Sequence, residues 1–171
     1  MLFKWLLGDK TTSTPTASGE LRELVAKSLP EADEKQASIV GSVAGLLATV
    51  AHADRNYTEA ERKEVTAVLS RVHSLEMGAL GAIEELLAER IAALSAEPLQ
   101  GYTRVLYEGL TREARAEIFE ALMDLAAADE VLDMHETNLL RRIARGLGLS
   151  DQEYVASQQR HRHRLSVLKP S

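Results

Sequence analysis

Leu46-Leu47-Ala48-Thr49-Val50-Ala51-His52-Ala53-Asp54-Arg55-Asn56-Tyr57-Thr58-Glu59-Ala60-Glu61 contains an apolar run, a break and a restart. Upstream of the break, Ile39, Val43, Leu46, Leu47 and Val50 recur at helical spacing, which predicts a helix over about 33–53. Asp54-Arg55-Asn56-Tyr57 is a polar corner. Thr58 through Glu61 then forms a capping box: the Thr58 hydroxyl can accept from the Glu61 amide while the Glu61 carboxylate reaches back to the Thr58 amide. Val65, Val68, Leu69 and Val72 continue at helical spacing, so the unit reads helix–corner–helix.

The same order returns downstream. Leu125-Ala126-Ala127-Ala128-Asp129 precedes a second corner, and Asp133-Met134-His135-Glu136 is a second box in which aspartate serves as the cap. Asp54 and Asp129 are 75 positions apart, as are Glu61 and Glu136. Five positions are identical between 46–65 and 121–140. Chance in an Ala- and Leu-rich chain gives about two, so the recurrence of apolar period, acidic corner and box in order carries more weight than identity. The expectation is a single compact all-α domain of about seven to eight helices, built from two pseudo-symmetric helix–corner–helix halves.

Other helices are read at about 20–29, from Ser74 to about Leu94, at about 98–110, and at about 112–128 behind a Thr111 cap. A seventh carries Leu139, Leu140, Ile143 and Leu147 and stops at Gly146 and Gly148; the last opens with a third box, Ser150-Asp151-Gln152-Glu153. In the 33–53 helix, Gly41, Gly45 and Ala48 form a strip open to close approach by another helix. Residues 1–18 read as a tail and linker, 19–157 as the helical domain, and 158–171 as a basic helix end and tail. His161 and His163, flanked by arginines, are expected to be solvated.

Composition narrows the function classes. The 171 residues hold no cysteine, which removes disulfides, thiolate metal sites and cysteine nucleophiles. A formal net charge of −6 and 4 % aromatic residues argue against a nucleic-acid surface. No Walker loop, dinucleotide fingerprint, nucleophile elbow or metalloprotease motif occurs, so the chain is expected not to be an enzyme. The apolar stretch from Ala37 to Ala51 is shorter than the roughly 20 residues of a membrane span. Phe3 and Trp5 offer at most a weak interfacial anchor in the tail. A cytoplasmic location fits.

Ala53-Asp54 with Glu61, and Ala128-Asp129 with Glu136, resemble the twice-repeated "alanine, aspartate, glycine, then glutamate seven residues after the aspartate" pattern of the TerB-like tellurite-resistance family. Thr111-Arg112-Glu113-Ala114-Arg115 and Arg141-Arg142-Ile143-Ala144 look like the second half of that family, and the resemblance covers roughly 35–157. The sequence departs from the pattern at the glycine, which is Arg55 in one half and Glu130 in the other. The resemblance implies an all-helical fold, an acidic surface proposed to bind divalent metal, and a link to tellurite or stress resistance.

The candidate site residues are Asp54, Glu61, Asp129, Asp133 and Glu136. As hard oxygen donors they suit calcium or magnesium; His52 or His135 would add nitrogen and bring in zinc. Two other readings stay open. Carboxylates at helix starts accept hydrogen bonds from free amides, which accounts for them without a ligand. They can also dock a protein partner.

Overall fold

The computed structural model describes residues 16–53, 57–70, 77–129 and 132–167; the side chains of 77–79, 129 and 163–167 are outside the description. The described residues contain eight α-helices and one short 3₁₀ turn, with no strand among them. In chain order they are α1 (Ala17–Ser28), α2 (Glu34–Ala51), α3 (Glu59–Ser70), α4 (Met77–Ala96), α5 (Leu99–Gly109), α6 (Arg112–Ala126), the 3₁₀ turn Ala127–Asp129, α7 (Met134–Gly146) and α8 (Asp151–Val167). The all-α expectation holds. The proposed cap of α4, Ser74, lies outside the described residues.

α2 is the centre. Every residue from Val40 to Ala51 is buried, and α1, α3, α4, α5, α6 and α7 all pack against it. A helix apolar on all sides needs neighbours on all sides. Its start is fixed by Asp33, whose Oδ1 accepts from the Gln36 amide at 2.7 Å while Gln36 Oε1 accepts from the Asp33 amide at 3.1 Å. This is a fourth box, which the sequence reading does not name.

The remaining helices contribute one stripe each. Leu21 and Val25 of α1, Val65 and Leu69 of α3, Leu106 of α5, Phe119 and Leu122 of α6, and Leu140 and Ile143 of α7 join one continuous core. α3 also packs on α6, and α7 on α2.

One boundary differs from the sequence reading. Thr16 caps α1 by accepting from the Gly19 amide at 3.1 Å, and Ala17 is buried, so the helix begins inside the stretch read as linker. At the other end, α8 runs through the segment read as a basic helix end, and there it stays docked. His161 is only 3 % exposed, with Nε2 2.8 Å from Asp124 Oδ1 and Nδ1 2.8 Å from the Ser157 carbonyl. Arg160 pairs with Glu120 on the same face of α6. The expectation of a solvated His161 is therefore corrected. It rested on the flanking arginines, which stay exposed while the imidazole between them turns in against α6. The His163 side chain is outside the described residues.

Candidate functional site

The two corners restart their helices in the same way. At the first, the Thr58 amide donates to Glu61 Oε2 at 2.8 Å, and the Glu61 amide donates to Thr58 Oγ1 at 3.2 Å. The Thr58 hydroxyl also donates to Glu61 Oε2 at 3.0 Å. At the second, the Asp133 amide donates to Glu136 Oε2 at 2.8 Å and the Glu136 amide to Asp133 Oδ1 at 2.8 Å. Glu61 is 4 % exposed and Glu136 9 % exposed. A carboxylate can be this buried because it accepts from amides that have no partner of their own in the first helical turn, where the helix dipole also favours negative charge.

Of the five candidate residues, Glu61, Asp133 and Glu136 are thus placed, each in its box. Asp54 lies outside the described residues. Asp129 closes the 3₁₀ turn with its backbone, and its side chain is outside the description. Among the described residues, no three His, Asp or Glu side chains come together in a way that could hold a metal ion. Beside the first corner, burial pushes the Tyr57 phenol up to about 12 against the pull of Arg62, with Glu84, Glu61 and Glu59 adding to the rise.

His52 and His135, one from each corner region, face a common cleft of about 260 Å³. His52 caps the C-terminus of α2, and His135 sits in the first turn of α7. Thr49, Ser95, Asn138 and Arg142 also line it. Positions 135, 138, 139 and 142 fall on one stripe of α7, while 49 lies in the last turn of α2 and 52 and 53 just beyond its end. The sequence reading weighed the two histidines as metal ligands. It missed the cleft, because Asn138 and Arg142 look like ordinary surface residues until the packing of α7 on α2 is known.

The profile of the family described as Tellurite resistance protein TerB matches residues 41–159. The chain belongs to that family. The match begins within α2 and ends within α8, so it takes in both corners and the cleft. It agrees with the resemblance read from the duplicated aspartate–glutamate spacing, even with Arg55 and Glu130 in place of the TerB pattern's glycines. No curated protein and no solved structure matches the chain. Membership links it to tellurite resistance as a helical module. Among the described residues, no helix is long and apolar enough to cross a membrane.

Proposed function

We propose that the chain is a non-catalytic binding module of a tellurite-resistance system, acting in the cytoplasm through its surface as a scaffold or adaptor for a protein partner, with its acidic corners serving as structural joints. One observation carries this reading. Glu61 and Glu136 are the deepest-set acids among the described residues of the corners, and each spends a carboxylate oxygen on the amide that starts its own helix. Asp133 spends Oδ1 in the same way. Non-catalytic action goes with this: among the described residues, Thr49 and Ser95 give their hydroxyl protons to backbone carbonyls of their own helices and not to a histidine. Both ring nitrogens of His161 are taken, and the ring is buried.

A second reading is a divalent-cation site for calcium, magnesium or zinc at the corners. It is favoured by the duplicated acidic pattern, which repeats Asp54 and Glu61 as Asp129 and Glu136 at one spacing. Calorimetric titration of the full chain with Ca²⁺, Mg²⁺ and Zn²⁺ separates the two. The scaffold reading expects no saturable heat that depends on the corner acids. Saturable binding that disappears in the Asp54→Ala, Asp129→Ala double variant would replace it with the cation reading.

A further inference from the structure

The cleft between α2, α4 and α7 has a lining unlike the rest of the molecule. The chain carries 26 acidic residues against 20 lysines and arginines, yet none of the described residues lining the cleft is acidic. Arg142 has no ion-pair partner among the described residues. His52, His135 and Asn138 likewise have no side-chain hydrogen bond among the described residues. These four donors line one concavity without a protein partner among the described residues; His52 is half-buried, and His135, Asn138 and Arg142 are exposed to solvent. Arginine is always charged, and its fork of N–H groups suits an oxyanion.

The hydroxyls set the other half of the chemistry. Thr49 donates its proton to the Gly45 carbonyl at 2.8 Å, and Ser95 donates to the Ala92 carbonyl at 2.9 Å. Both therefore present lone pairs to the cleft. A ligand that satisfies the whole lining must accept from Arg142, Asn138 and the imidazoles and must also donate an O–H to Thr49 or Ser95. Both α2 and α4 reach the cleft with their C-terminal turns. Each carries about half a negative charge, which offsets part of the Arg142 charge and disfavours a highly charged anion. The volume limits the size. About 260 Å³ lies below the roughly 300–1,000 Å³ of sites for drug-sized ligands, and it holds a small ion with several waters at about 30 Å³ each.

We infer that this cleft binds a small oxyanion that retains a proton, held by Arg142, Asn138, His52 and His135. The inference stands on residues other than the corner acids. It goes beyond the scaffold reading and does not depend on it. Inorganic phosphate and tellurite share the required chemistry of several acceptor oxygens and an ionisable O–H. Sulfate supplies the acceptors without the proton.

The test is calorimetry of the full chain at neutral pH with phosphate, tellurite and sulfate, alongside NMR of the imidazole resonances. The expected result is saturable binding of phosphate or tellurite, with sulfate at least about tenfold weaker. Loss of one charge-assisted hydrogen-bond set should make Arg142→Ala about 10- to 100-fold weaker. Arg104→Ala, which alters an exposed arginine paired with Glu108, should leave affinity unchanged. In the unmutated chain, the His52 and His135 resonances should move on titration while His161 stays still. Which oxyanion binds more tightly tells the source. Three results would overturn the proposal: no saturable binding of either oxyanion up to about 10 mM, binding that Arg142→Ala does not weaken, or sulfate binding as tightly as phosphate. Failure here would leave the corner acids untouched, so it is distinguishable from failure of the scaffold reading.

Discussion

Gly45 lies so close to Tyr102 of α5 that a Cβ built on it would sit 2.4 Å from the ring carbon Cε1. The ring cannot retreat freely, since it is buried and its hydroxyl donates to the Leu94 carbonyl at 3.2 Å. Gly45→Ala should therefore destabilise the protein by about 1–3 kcal/mol through overpacking, despite the gain of up to about 1 kcal/mol in helix propensity. Gly101 is the control: it is also helical, and nothing would lie within 4 Å of its added Cβ. Gly101→Ala should stabilise by about 0.5–1 kcal/mol. Urea unfolding of the two variants checks both signs. The strip of Gly41, Gly45 and Ala48 was legible in the sequence as a place of close approach. Its partners were not, because a missing side chain says only that something comes near. Gly41 faces the backbone of Arg22 in α1, at 3.7 Å from the added Cβ, which is ordinary contact.

At the scale of the element, the junction of α7 and α8 shows local and tertiary signals working together. α7 ends as the two glycines suggested: Gly148 takes φ +73°, its amide donates to the Arg145 carbonyl at 3.0 Å, and the Leu149 amide donates to Ala144 at 2.9 Å. Arg115 of α6 reaches across to the Leu147 carbonyl at 2.6 Å, a contact no local pattern could announce. α8 then starts with the Ser150 box, and its Glu153 also accepts from Arg112 of α6 at 2.6 Å. The Ser150 amide and hydroxyl, with Arg112, hold the Glu153 carboxyl down at about 2, against an ordinary value of 4.5. A depressed acid stabilises the fold above its unfolded value and loses that contribution as pH falls toward its folded one. The contribution of Glu153 should be intact above pH 4.5 and fade between about pH 4.5 and 2. Circular dichroism unfolding at pH 6, 4 and 2.5 checks this: Glu153→Gln should lose less stability across that interval than the parent chain. Equal losses would show that the pair does not anchor α8.

For the whole molecule, helix number and order followed from periodicity, capping boxes and breakers, because those signals are local and strong. The expectation of a solvated His161 did not survive, because the docking of His161 onto Asp124 joins residues 37 positions apart. The corner acids were legible as a pattern, but their role was not. A glutamate three residues after a threonine or aspartate can close a box or serve a ligand, and burial decides how much of it remains available. The account rests on Glu61 and Glu136 being joints between helices. The direct measurement is the unfolding free energy of the chain with Glu61→Gln and Glu136→Gln, set against Glu61→Ala and Glu136→Ala. Glutamine keeps an oxygen for the cap amide, so the first pair should lose less than about 1 kcal/mol per site, whereas alanine leaves the amide unpaired and should lose about 1–3 kcal/mol per site. Glutamine as costly as alanine, or alanine without cost, would contradict the claim.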